Sequence, residues 1–247
     1  MSLLFKELDY RETPMGVLSL RRRRELSLDI DVYEIKLDDE YLMSSLFTFA
    51  EIELTRLGLA ALSSDTLSSP GLDVVVGGLG LGYTAQTVLE NPDVASLLVI
   101  DNLPEVIEWH QNGLLPLGEG LTSDARCSLQ QGDFFARALA PTQGMNPDHP
   151  GRKHHAILLD VDHSPTNVLH PTHAAFYSRD GLEKLAGHLL PGGVFALWSN
   201  DLPDPVFQKT LDAVFATSEA HIVRFSHPVL DREDTNTVYV ARLKDQG

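Results

Sequence analysis

Beyond residue 71 the chain alternates short continuous apolar runs with stretches whose apolar residues recur at helical spacing. The runs at 72–76, 96–101, 126–130, 155–160 and 194–198 predict strands buried on both faces. Between them, 104–112 and 181–189 predict amphipathic helices, the second carrying Leu182, Leu185 and Leu189 along one side. Strands interleaved with helices make an α/β fold, a mostly parallel sheet covered on both faces. "HLLPGGVFALW" predicts a helix stopped by Pro191, Gly192 and Gly193 before the next strand. At the carboxyl end, "AHIVRF" and "NTVYVARL" predict an antiparallel last hairpin.

The amino-terminal part has a different period. Tyr33, Ile35 and Leu37 alternate with Glu34, Lys36 and Asp38, and the whole of 16–43 looks extended, which predicts a small β-hairpin unit. Thr48 and Glu51 have the spacing of a capping box, and Phe49, Ile52, Leu57 and Ala60 follow near helical spacing. "SSDTLSSPG" at 63–71 is a turn-rich linker. The expected organisation is therefore a β-strand unit at 1–47, a helix and linker at 48–71, and an α/β domain at 72–247. The run Arg21 to Arg24 reads as a solvated face paired with nearby carboxylates, or as a site for an acidic partner.

Composition narrows the partners. Nineteen basic against thirty-five acidic residues give a formal charge of −16, which serves solubility, disfavours nucleic acid and favours cations. Cys127 is the sole cysteine, so no intrachain disulfide and no multi-cysteine zinc site is expected. No segment reaches the ~20 apolar residues of a membrane span, and the start, "MSLLFKELDYRETP", lacks an apolar signal stretch. A cytoplasmic protein is expected. His154, His155, His163, His170 and His173 fall close together, but the proline in "HPTH" argues against a helical pair of ligands, and no metal is expected. Trp109 and Trp198 read as core or pocket-wall aromatics.

The candidate chemistry gathers at the ends of the predicted parallel strands. "VVVGGLGLGYTA" runs a buried strand into small residues and then a helix, which lets backbone N–H groups approach a ligand closely. Gly80, Gly82 and Ala85 satisfy the dinucleotide pattern G-x-G-x-x-A, while Gly78, Gly80 and Gly82 equally satisfy G-x-G-x-G, the spacing of sulfonium nucleoside cofactors. Asp101 closes "LLVID" where an acid can take ribose hydroxyls, or else caps a helix. Asp133 in "QQGDFF" can meet the exocyclic amine of adenine, or again cap a helix. "AILLDVDHSP" brings Asp160 and Asp162 to the same sheet edge.

The ordered set "GGLGLGYTA", "VIDNLPEVIEWHQNGLLPLGEGLTSDARCSLQQGDFF", "DVDHSP…FY" and "LLPGGV" resembles the spermidine and spermine synthases, the polyamine aminopropyltransferases. The resemblance covers about residues 16–240 and is strongest over 74–193. It implies a Rossmann-like class I S-adenosylmethionine-dependent methyltransferase fold with a small amino-terminal β-domain. It also implies that Gly78, Gly80 and Gly82 carry the methionine-derived tail of S-adenosylmethionine or its decarboxylated form, with Asp101 and Asn102 at the ribose and Gly132 and Asp133 at the adenine. Asp160 would be the base, Asp162, His163 and Tyr177 would serve the substrate, and 163–177 would be a lid. Three positions depart from the family. Leu81 stands where its glycine loop has an aspartate, "DVDHSP" replaces D-S-S-D-P, and the Tyr-x-Glu signature is not evident in "FTFAEIELTRLG". Methyl transfer in the same pocket and a catalytically weak binding homologue are the alternatives. The expected partners are a small amine and a second copy of the chain, with no nucleic acid and no membrane.

Overall fold

The computed structural model describes residues 4–62, 71–140 and 142–245, so most of the turn-rich linker at 63–71 lies outside the described residues. The amino-terminal unit is larger than one hairpin. Strands β1 (Phe5–Thr13), β2 (Gly16–Glu25), β3 (Ile30–Leu37) and β4 (Glu40–Ser44) form a four-stranded antiparallel meander in sequence order. The added strand β1 alternates weakly in sequence, because most of its side chains remain exposed, so no apolar period marks it. The arginine run lies on β2, where Arg22 and Arg24 face Asp31 and Arg23 meets Glu25 and Glu34 at 2.7 Å. Helix α1 (Phe49–Ala60) then leads to the second sheet. Thr48 occupies its N-cap position without a side-chain cap bond, so the predicted capping box does not form.

The second sheet has seven strands: β5 (Leu72–Gly77), β6 (Val94–Asp101), β7 (Cys127–Gln131), β8 (His154–Leu159), β9 (Leu189–Ser199), β10 (Thr217–Ser226) and β11 (Glu233–Arg242). Their order is β10-β11-β9-β8-β5-β6-β7, parallel from β7 to β9, with β11 antiparallel to both neighbours. Helices α2 (Tyr83–Glu90), α3 (Pro104–Gln111), α4 (Gly118–Ser123), α5 (Phe134–Ala138), α6 (Arg179–Ala186) and α7 (Pro205–Asp212) supply the crossovers. Two buried clusters result, one around Val74, Val76, Leu97 and Trp109, the other around Val75, Ile157, Phe176 and Phe195. Trp109 is core, as the sequence suggested, and its indole N–H donates to Asp9 of β1 at 2.7 Å, tying the two sheets together.

One boundary differs. The helix predicted to run to Leu189 ends at Ala186, and Pro191, Gly192 and Gly193 lie inside β9 rather than before it. The register against β8 jumps from His154–Leu189 to Ala156–Val194, so the Pro-Gly-Gly segment is a bulge absorbed by the strand. The chain leaves β5 toward β6 and β7 and returns on its other side with β8, which makes the carboxyl ends of β5 and β8 a topological switch point.

Candidate active site

At that switch point the backbone is crowded. The Asp160 N–H donates to the Gly77 carbonyl at 2.9 Å and the Gly78 N–H to the Ile100 carbonyl at 2.9 Å, so the ends of β5, β6 and β8 are tied together. Gly78 has φ +94°, and a Cβ there would lie 2.1 Å from the Asp160 carbonyl oxygen, so only glycine fits. Above this knot opens a cavity of about 910 Å³, walled by the glycine loop, the ends of β6 to β8, the amino-terminal sheet and the β10–β11 hairpin.

Gly78 and Gly80 line it, while Gly82, at φ +94°, forms the N-cap of α2. Leu81 is 2% exposed and belongs to the core, so it presents nothing to the cavity. The cavity-facing position is Gly80, where the space of a side chain is taken by the Met43 sulfur from β4, 2.6 Å from an ideal Cβ. The same sulfur lies 3.1 Å from the Leu81 nitrogen and accepts its N–H. The β-domain thus completes the loop with a thioether.

The expected nucleoside residues all line the cavity: Asp101, Asn102, Gly132 and Asp133, with Ile100, Leu103, Val106 and Phe134 as an apolar bed. Both oxygens of Asp101 accept backbone N–H groups, from Leu79 and Leu103 at 2.8 Å each, so this acid braces the glycine loop. Burial raises its pKa, opposed by the N–H groups of Leu103, Leu79 and Gly80. Asp133 caps α5 through Ala136 N at 3.0 Å while facing the cavity, so the capping reading and the cavity placement both hold.

Asp160 and Glu51 both line the cavity, near enough for the charge of one to act on the other. Thr84 donates its hydroxyl to Asp160 Oδ2 at 2.9 Å. Burial pushes the Asp160 carboxyl up to about 6, and burial together with the charge of Asp160 raises Glu51 well above the usual carboxylate range. The negative charge of each acid therefore makes ionisation of the other less favourable. Glu51 is a cavity-lining acid that the sequence alone does not single out. It was read as half of a capping box, yet it lies on the same face of α1 as the buried Leu54, Thr55 and Gly58. An acid on a buried helical stripe was the available signal.

The remaining expectations divide. His163 lines the cavity and bonds Glu40 of β4 at 2.9 Å, fastening the segment after β8 to the amino-terminal sheet. Asp162 and Tyr177, expected on the substrate, are not among the lining residues. Asp162 is wholly buried, and it accepts from the Tyr177 hydroxyl at 2.8 Å and the Leu169 N–H at 2.8 Å. Its role is to hold the segment after β8, including His173, which does line the cavity. The clustered histidines scatter: His154 is buried in β8, and His170 caps a short 3-10 turn (Pro171–Ala175). Trp198 lines the cavity, as the pocket-wall reading expected.

The charge of the cavity is lopsided. The two arginines that line it are paired, Arg23 with Glu34 at 2.7 Å and Arg232 with Asp234 at 3.0 Å, so Glu233 and the acids already named leave the wall with an excess of acidic groups.

No protein-family model matches the chain. Among solved structures it superposes on a spermidine synthase in complex with the transition-state analogue AdoDATO, with TM-score 0.71, 13% identity, and 98% of this chain covering 75% of that one. The spermidine synthase of Thermotoga maritima gives TM-score 0.68 at 12% identity, again over 98% of this chain and 73% of the other. The fold is spermidine-synthase-like. Human methyltransferase-like protein 13, solved in complex with SAH, matches 78% of this chain and 82% of its own at TM-score 0.57 and 21% identity. The spermidine-synthase-like match takes in both sheets, whereas the match to the methyltransferase covers less of the chain; together they place the seven-stranded sheet in the class I methyltransferase fold.

Proposed function

We propose that the protein is an aminopropyltransferase using decarboxylated S-adenosylmethionine and a small aliphatic amine. The observation that carries this is the enclosed Asp160–Glu51 pair beside the glycine loop, in a cavity whose arginines are already neutralised. Such a wall attracts an ammonium and repels the carboxylate of intact S-adenosylmethionine, and so supplies the discrimination that Leu81 cannot. The nucleoside lies along Asp101, Asn102, Gly132 and Asp133, and its aminopropyl arm reaches over Gly78 and Gly80 toward the carboxylates.

The reaction needs a free amine, whereas aliphatic amines are mostly protonated at neutral pH, with pKa near ~10. Asp160 takes that proton, and its raised pKa suits it to share the proton with an amine. The nitrogen lone pair then attacks the carbon next to the sulfonium sulfur. The carbon–sulfur bond breaks toward sulfur, releasing neutral methylthioadenosine; the product leaves as a secondary ammonium, and Asp160 returns the proton it took to solvent. Enclosure by the β-domain holds the reactants in line and keeps water away.

Asp160→Asn tests the assignment. We expect kcat with putrescine to fall by roughly 10²–10⁴-fold, with methylthioadenosine affinity nearly unchanged by calorimetry. Full activity in this variant would end the assignment. The side-chain-free surface at Gly80 favours a second reading, methyl transfer, since no loop acid faces the cavity there. Release of S-adenosylhomocysteine instead of methylthioadenosine would select it, and binding of NAD without the sulfonium nucleosides would remove both.

A further inference from the structure

Asp162 contributes to neither step above, yet it is the most thoroughly enclosed acid near the cavity, 0% exposed. It accepts three hydrogen bonds at 2.8 Å each, from Leu169 N, from the Tyr177 hydroxyl and from His173 Nδ1. The first two lock the carboxylate in place, and the third fixes the state of a ring that lines the cavity. Asp162 Oδ1 already accepts the Leu169 N–H, so toward His173 it is the acceptor and Nδ1 carries the proton of this bond. In the uncharged ring this leaves the lone pair on Nε2, which bonds no other described residue. Orientation is fixed as well, because the ring lies flat on Phe135, centroids 3.8 Å apart and planes 20° apart. Phe135 follows Asp133 and Phe134 in the chain, and all three line the cavity at the end of β7. A hydrogen-bond acceptor of defined tautomer is therefore held at the end of the cavity where the purine lies under the proposed function.

We propose that His173 is a specificity-determining residue for the nucleobase: its Nε2 accepts a hydrogen from the exocyclic 6-amino group, and Asp162 is the positioning residue that fixes its tautomer. The inference rests on the nucleoside reading above and names the feature of the base that is read. A 6-amino purine donates to Nε2. A 6-oxo purine sets an oxygen lone pair against the nitrogen lone pair and leaves both unpaired. The sequence sets His173 among five clustered histidines without distinguishing it from the others. His173 lay in a loop segment whose histidines looked interchangeable, and only the fold joins it to Asp162.

The test is calorimetric titration at pH 8 with methylthioadenosine and methylthioinosine, which differ at the 6-position. Wild type is expected to bind the 6-amino form at least about tenfold more tightly. His173→Leu should bring the two affinities together through loss of the 6-amino form, and His173→Gln, which keeps an acceptor, should recover most of that loss. In Asp162→Asn the amide oxygen can keep both the Leu169 N–H and His173 Nδ1, with its N–H turned to the Tyr177 oxygen, so the preference for the 6-amino form should persist. Circular dichroism establishes that each variant is folded. If Asp162→Asn does not fold, the two His173 variants decide alone. A folded His173→Leu that keeps the wild-type ratio overturns the inference, as does wild type binding both nucleosides equally. Wild type binding neither would overturn the nucleoside reading, and this inference with it.

Discussion

Glu51 carries the most weight of any single residue that was not foreseen. Local pattern explains why: three residues after a threonine at a helix start, a glutamate is ordinarily a cap. Its burial, against Asp160, becomes visible only once α1 is laid over the sheet. If the pair holds an ammonium between two acids, removing one charge weakens the acceptor and spares the nucleoside. Glu51→Gln should raise KM for the amine by roughly tenfold or more, as expected for a lost charge-assisted bond. Methylthioadenosine affinity should stay within about a factor of two, because the nucleoside side of the cavity is untouched. Steady-state kinetics with putrescine and a parallel titration separate the two. Equal loss of both would show that Glu51 supports the loop rather than the substrate. Asp133 shows the opposite case, since its capping and cavity-facing readings were both legible in "QQGDFF" and both are realised.

Among the elements, β5, β6 and β8 are legible because they are largely buried on both faces and so read as apolar runs, whereas the parallel edge strand β7 is only partly buried. Strand β1 is not legible, being largely exposed, and the start of β9 is hidden because Pro191, Gly192 and Gly193 look like a stop while acting as a bulge. The junction that matters most is the one between β5 and β8, where Gly77, Gly78 and Asp160 share a single layer of hydrogen bonds. Any side chain at residue 78 must displace the Asp160 backbone, and with it the proposed base. Gly78→Ala combines a strained positive φ with that clash, and is expected to cost about 2 kcal/mol or more of stability. Nucleoside binding should be lost with it. Chemical unfolding gives the first quantity and calorimetry the second. A variant as stable as wild type would mean that the β5–β8 junction is looser than these contacts imply.

At the scale of the whole molecule, two sets of buried groups oppose each other as pH changes. Burial lowers His154 to about 4 and lowers His110, His155 and His188, because each imidazolium is poorly solvated inside. Their folded pKa values lie below the unfolded ones, so their contribution is complete above the ordinary 6.5 and is lost as pH falls toward 4. Asp160 and Glu51 behave inversely. Their folded pKa values lie above the unfolded ones, so their contribution is complete below about 4 and is lost as pH rises through about 6 and beyond. Between pH 4 and 6.5 the two trends cancel in part, and stability should vary little. The double substitution Asp160→Asn with Glu51→Gln removes the falling arm and leaves the histidine arm. Urea midpoints at a series of pH values should then rise steadily from pH 4.5 to 7 in the variant, and its lead over wild type should widen with pH. Proximity of the two acids would then be a stability cost that the fold carries for its site. A lead independent of pH would mean that these carboxylates titrate normally, and the cation-holding role built on their pairing would lose its physical basis.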